Sequence, residues 1–290
     1  MLNRRVWTSQ PQGSVGVNWA NPITRGLLQL SLTTAGTNVV PRNLVGAGAN
    51  YISDFPGTAS SQIGVGSLGV GAVKGTYTAD NGGSAAGKGY RPDCTSLNSI
   101  WSASGEATVL AVLRVNAPDA SGYAGAMVLP SSSGDAHHYP YTDGKLYTGP
   151  LVIPRYVSAV VPPSSVYVPH TLVATHKINV LAASYFNGVL IGSTTHNEVP
   201  YVRIDGTCAI GGNGAVYLIA IWNRALFAAE AALVGVNPWQ LFAPLSRPIF
   251  APSAAAAGST ITTATLPAGV GHMGSGQTRA IQSAGVSYMG

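Results

Sequence analysis

The chain has 290 residues, of which 46% are hydrophobic and only 9% charged, and its net charge is +5. Ordinary globular proteins carry roughly 25% charged residues, so disorder driven by charge is excluded. The basic residues are scattered, with Arg4 and Arg5 the only adjacent pair, which argues against the clustered positive face that nucleic-acid binding needs.

A surface this poor in Lys, Glu and Asp favours association, and suits a subunit partly covered by its neighbours. The N-terminal residues start basic but lack an apolar signal-peptide core. No segment approaches the roughly 18 apolar residues that span a membrane. The expectation is a protein made in the cytoplasm without an evident export route and without membrane insertion. Cys94 and Cys208 either pair or stay as small buried thiols, and their spacing leaves both open.

In chain order, residues 27–32 place Leu28, Leu30 and Leu32 in alternation with Leu27, Gln29 and Ser31, which predicts a half-buried strand behind an extended N-terminal arm. Residues 39–91, rich in Gly, Ala and Ser, predict short strands joined by tight turns. Residues 94–101 read as a further strand. Residues 105–115, GEATVLAVLRV, predict a central strand, ended by Pro118, which cannot continue a ladder. Residues 123–130, 151–161 and 167–176 read as strands. Residues 131–148 read as a polar, aromatic loop. Residues 180–191 predict a hairpin whose Asn187-Gly188 turn accepts the positive φ of a type I′ turn. Residues 201–205 predict a strand, Gly211, Gly212 and Gly214 a turn, and residues 215–222 a dense apolar strand. Only residues 225–235 read as helical, through Ala and Leu, closed by a left-handed Gly235 and by Pro238. Many short strands and one short helix predict an all-β sandwich.

Residues able to carry chemistry are few. The chain has three glutamates, Glu106, Glu198 and Glu230, and none falls in the one-strand E-x-D-x-x-E arrangement of a glycosidase, which needs two placed carboxylates. The densest polar cluster is Asp135, His137, His138, Tyr139, Tyr141, Asp143 and Tyr147. It reads either as a metal or sugar-binding loop, with the tyrosines as stacking platforms, or as a contact surface of Tyr, Ser and Gly. Adjacent histidines on a strand face opposite sides, so a shared metal would require a bent loop. The Gly-rich strings lack the strand-to-helix context of a phosphate loop. Trp222 and Trp239 read as core plugs or as glycan platforms.

Residues 222–242 read WNRALFAAEAALVGVNPWQLF. The order of a core strand ending in Trp222-Asn223-Arg224-Ala225-Leu226, a short helix, and then Asn237-Pro238-Trp239-Gln240-Leu241-Phe242 resembles the closing segment of laminin-G-like, concanavalin A-type jelly-roll domains of tailed bacteriophages. His170 with Leu172 and Val173, followed by Tyr185, Asn187 and Gly188, resembles the same family's penultimate hairpin, so the likeness covers roughly residues 105–250. It implies that Trp222, Asn223, Arg224, Leu226, Pro238, Trp239 and Phe242 close the fold. The family's helix usually opens on a Ser or Thr cap, where this chain has Phe227. Such domains often bind Ca²⁺ through an Asp and carbonyls at the rim. Here Asp205 stands without acidic partners, so neither metal nor cofactor is expected.

The resulting expectation is an N-terminal arm over residues 1–7, a jelly-roll sandwich over 8–250 and an extended interaction arm over 251–290, which has too few large side chains to build a core alone. The function implied is that of a non-catalytic virion structural protein, a capsid decoration, head-fibre or tail-fibre component released by lysis. Its partners would be other virion proteins in a symmetric homo-oligomer such as a trimer. A carbohydrate-binding module for cell-surface glycan is the alternative, and a polysaccharide depolymerase a further one.

Overall fold

The computed structural model describes residues 11, 14–32, 43–46, 52–53, 63–67, 74–78, 90–91, 94–115, 126–130, 135–139, 145–148, 156–160, 168–202, 210–212 and 214–245. The expected arms over residues 1–7 and 251–290, and Tyr141, Asp143, Asp205 and Cys208, lie outside them.

Two antiparallel sheets form a jelly-roll β-sandwich. The first contains β2 (Leu27–Leu32), β4 (Ile63–Ser67), β5 (Lys74–Thr78), β7 (Glu106–Val115), β12 (His170–Lys177), β13 (Leu181–Phe186), β14 (Val189–Thr194) and β16 (Gly214–Trp222). Its order is β14-β13-β12-β7-β16-β5-β4, with β2 also paired to β16. The second contains β3 (Ile52–Ser53), β6 (Tyr90–Arg91), β8 (Ala126–Pro130), β9 (Asp135–Tyr139), β10 (Lys145–Thr148), β11 (Tyr156–Val160) and β15 (Ile210–Gly212), in the order β11-β10-β9-β8-β15-β6-β3. A separate pair joins β1 (Val15–Val17) to β17 (Phe242–Pro244), so the start and end of the sandwich are stitched together.

The central strands are buried on both faces. Val109, Ala111, Ile219 and Ile221 enter one core with Leu172 and, from the second sheet, Leu146. Leu110, Val112, Leu218, Ala220 and Trp222 enter the other, beneath α2 (Ala228–Val236) and the 3-10 turn Pro238–Leu241. Strand alternation therefore sorts one run of apolar residues into two layers, which is why β7 and β16 read as continuously apolar.

Several expectations are corrected. Residues 94–101 belong to a helix, α1 (Cys94–Ser104). Cys94, Leu97 and Trp101 recur at helical spacing and are all buried. Gly105, at φ +65°, ends that helix by donating its N–H to the Trp101 carbonyl at 2.7 Å. Cys94 is disulfide-bonded. β2 is not half-buried: Leu27, Gln29, Leu30 and Ser31 are all buried, because a register shift opposite Trp222 turns the strand and both its faces are covered. Its outer edge is closed by Asn43, whose side chain accepts from the Leu30 N–H and donates to the Leu28 carbonyl. Gly211 and Gly212 pair in register with Met127 and Ala126, and Gly214 opens β16, so these glycines are ladder residues; a ladder uses only backbone groups. Tyr201 and Val202 are not in a strand. The backbone of Val202 is instead held at both groups by the Asn98 side chain, at 2.9 and 2.7 Å.

The helix α2 starts three residues later than expected. The N–H groups of Ala225 and Leu226 are taken by Glu106 Oε2 and Thr108 Oγ1, which keeps residues 225–227 extended across the strand ends. Gly235 is inside the helix and is not its left-handed cap; Asn237 closes α2 through its N–H to the Leu233 carbonyl. The glycine is required for a different reason. A Cβ on Gly235 would stand 2.6 Å from the Gly188 nitrogen and 2.7 Å from its Cα, so the helix lies directly on the hairpin turn. In that turn Asn187 has φ 49° and Gly188 φ 82°, as a type I′ turn requires.

Candidate functional site

The segment Trp222–Leu226 and its partners build one end of the sandwich. Trp222 is fully buried and donates Nε1–H to the Ile23 carbonyl at 2.8 Å, while its own carbonyl accepts from Trp101 Nε1 at 3.0 Å. The two tryptophans thus tie the two core layers together. Leu226, Pro238, Trp239 and Phe242 are buried, and a Cβ on Gly26 would stand 2.5 Å from Asn223 Oδ1. Trp222 presents no face to a glycan, while Trp239, 9% exposed, borders a second and smaller cleft of about 300 Å³.

Arg224 reaches across this end. Its guanidinium meets both oxygens of Glu230, at 2.6 and 2.8 Å, and also donates to the carbonyls of Arg25 and Ile23. Glu230 in turn accepts from the Phe227 N–H at 3.0 Å, supplying from inside the helix the cap that Phe227 cannot. Glu230→Gln keeps an acceptor but removes the charge facing a guanidinium that is 18% exposed. We expect a loss of about 1–2 kcal/mol, read from the urea midpoint; a change below about 0.5 kcal/mol would mean the pair does not latch the end.

Glu106 and Glu230, distant in sequence, come together on one open cleft of about 810 Å³. Its lining also includes Pro22, Arg25 and Gly26, Lys177, Val180 and Leu181, and Phe227. Glu106 binds Lys177 Nζ at 2.7 Å. Burial pushes the pKa of Glu106 up, but the hydrogen bonds from Lys177 and the Ala225 N–H and the nearby charges of Lys177 and Arg224 outweigh it, leaving the carboxyl below its ordinary range. Glu230 behaves likewise: burial is outweighed by Arg224 and the Phe227 N–H. Both carboxylates are therefore held ionised. The acid of a glycosidase needs its pKa raised. Glu198 is exposed, and its backbone carbonyl accepts from His176 Nε2 at 2.8 Å.

The polar cluster expected as a displayed loop is placed differently. Asp135, His137, His138 and Tyr139 lie in β9 and Tyr147 in β10, inside the order of the second sheet. His138 stands opposite Tyr147 and Met127, while His137 stands opposite Val128. Neighbouring positions on a strand belong to opposite faces of its sheet. The polar composition concealed a pairing that the adjacent strand β8 enforces. Among the described residues no group of three or more His, Cys, Asp or Glu is placed to hold a metal, and no helix is long and apolar enough to cross a membrane.

His176 is the most deeply buried titratable side chain of β12. Burial, the largest cause, and the neighbouring His196 push its pKa below 6.5, against the hydrogen bond to the Glu198 carbonyl and the Glu198 charge. Its Nδ1 has no hydrogen-bond partner among the described residues. The unfolded chain therefore takes up a proton below about pH 6.5 that the folded chain refuses, so stability falls as pH drops through that value. Urea midpoints at pH 7 and pH 5 are expected to differ in the native chain and to converge in His176→Gln. An equal drop in both would remove His176 as the cause.

No family model matches the chain, and no curated protein does. Solved structures give weak likenesses. Trypanosoma rangeli sialidase, in complex with a difluoro-nononic acid, shows 14% identity and a TM-score of 0.48, covering 78% of this chain and 36% of the sialidase. The chain therefore spans about a third of that enzyme's length. Domain 4 of AbnA, a GH43 extracellular arabinanase from Geobacillus stearothermophilus, in complex with arabinotriose, shows 13% identity and a TM-score of 0.45, covering 72% and 98%. The binding domain of botulinum neurotoxin DC in complex with SialylT shows 12% identity and a TM-score of 0.45, covering 73% and 51%. The class defined by the sheet order and core is an antiparallel jelly-roll sandwich with a capping helix.

Proposed function

We propose that this chain is a non-catalytic structural protein of a tailed-bacteriophage particle, a capsid decoration, head-fibre or tail-fibre component whose sandwich packs against neighbouring chains. The observation that carries the reading is the outward face of α2. A surface helix normally turns charged residues to water, and one that is apolar all round is normally covered. Here Ala228 and Ala229 are exposed, Leu233 is 58% and Val236 72% exposed, and the one charged residue of the helix, Glu230, is bound to Arg224. Val236 lies against the hairpin turn at Gly188, after which Val189 and Leu190 are 65% and 51% exposed. Apolar residues grouped in this way mark an interaction surface. The ionised, ion-paired state of Glu106 and Glu230 supports the non-catalytic part, and the motif likeness over residues 222–242 supports the phage setting.

Leu190→Lys with Leu233→Lys is expected to leave the circular dichroism spectrum and melting temperature close to native. The same double variant is expected to be excluded from particles. Incorporation at the native level would sink the proposal.

A further inference from the structure

The cleft at the end of the sandwich holds features that its latch does not require. Phe227 occupies the position before α2 where Ser, Thr, Asp or Asn would cap the helix. It gives no side-chain cap, and it is 75% exposed on the cleft. A residue that breaks a local rule without a packing gain marks a functional position. On the lining of the same cleft, Lys177 and Glu106 form a pair 2.7 Å apart with side chains 47% and 25% exposed. Each already fixes the other, so a charged donor and a charged acceptor stand side by side with hydrogen-bonding capacity to spare. Arg25, exposed on the same lining, makes no side-chain hydrogen bond or ion pair among the described residues. Lys177 is matched by Glu106 and Arg224 by Glu230, which leaves Arg25 as the uncompensated charge.

We propose that this cleft binds an acidic saccharide. The chemistry distinguishes that ligand from others. A vicinal diol both donates and accepts, and it matches an adjacent carboxylate and ammonium. A phosphate only accepts and so offers no donor to the Glu106 carboxylate, whereas the hydroxyls of a sugar do, and a purely apolar ligand would leave the ion pairs desolvated. The exposed ring of Phe227, on the same lining as Val180 and Leu181, suits the C–H face of a pyranose ring. The guanidinium fork of Arg25 suits a carboxylate on the sugar. A volume of about 810 Å³ is within the usual range for ligand sites, roughly 300–1,000 Å³. The site uses none of the residues of the Asp135–Tyr139 strand, and it stands independently of the particle reading.

The test is calorimetric titration of the full chain with trigalacturonate and with neutral galactotriose of the same linkage. Trigalacturonate is expected to bind, more weakly as salt is raised, and the neutral sugar about tenfold less tightly. Phe227→Ala, at an exposed position, is expected to fold normally and to weaken trigalacturonate binding at least about tenfold. Arg25→Gln is expected to bring the acidic probe down to the affinity of the neutral one. The proposal is overturned if neither sugar binds, if the neutral sugar binds as tightly as the acidic one, or if Phe227→Ala binds as the native chain does. Because the titration uses free chain, a failure here leaves particle incorporation, and the proposal resting on it, untouched.

Discussion

Trp222→Ala is expected to destabilise the sandwich by roughly 3–5 kcal/mol, the range for removing a fully buried large aromatic. Trp222 is 0% exposed, and its indole fills the core between β16 and α2. Its Nε1–H is committed to the Ile23 carbonyl, at 2.8 Å. The residue also ends β16, where its backbone faces Thr108 on one side and Leu27 on the other. Loss of the side chain therefore loosens β2 and the Pro22–Thr24 turn together. Trp222→Phe keeps most of the ring volume but not the donor, and is expected to cost about 1–2 kcal/mol. Urea unfolding followed by far-ultraviolet circular dichroism checks both. An alanine variant within about 1 kcal/mol of native would mean that Trp222 does not close the fold.

Gly235→Ala is expected to cost roughly 2–4 kcal/mol, against the helix propensity of alanine, which alone would stabilise by about 1 kcal/mol. The added methyl would stand 2.6 Å from the Gly188 nitrogen, which is backbone and cannot rotate away. Gly188→Ala carries two penalties: the positive φ of 82°, worth about 1–2 kcal/mol, and the approach to the Ala232 carbonyl at 2.7 Å. The pair also predicts non-additivity. Once one substitution has lifted the helix off the turn, the second should cost less than it does alone. Thermal melts of the two single variants and the double variant measure this, and stabilisation by Gly235→Ala would show that the helix does not rest on the hairpin.

Much of the fold was legible because local chemistry and tertiary demand agree. The apolar runs of β7 and β16, the Asn187-Gly188 turn and the existence of α2 all follow from period and turn chemistry. The failures have identifiable causes. α1 presents a buried stripe of only Cys94, Leu97 and Trp101 among serines, and so short an apolar pattern fits a strand as well as a helix. The role of Gly235 depends on a neighbour, Gly188, that only the folded chain brings within reach. The polar residues of β9 and β10 suggested a loop, yet β8 supplies a pairing that composition does not reveal. The cleft is the clearest case. Glu106 opens a strand and Glu230 lies inside a helix, and nothing in their spacing signals that Arg224, Lys177 and the Ala225 N–H will gather both carboxylates on one lining. The single hint was Phe227, a residue standing where a helix cap belongs.

We propose that this sandwich is a structural part of a phage particle. Immunogold labelling tests it most directly, applied to intact particles purified from lysates of cells that make the chain, with an antibody raised against the sandwich. The account predicts label on the particles, spread over the heads for a decoration protein or head fibre, or confined to the tails for a tail fibre. Particles without label, with the chain recovered only in the free fraction, would contradict it.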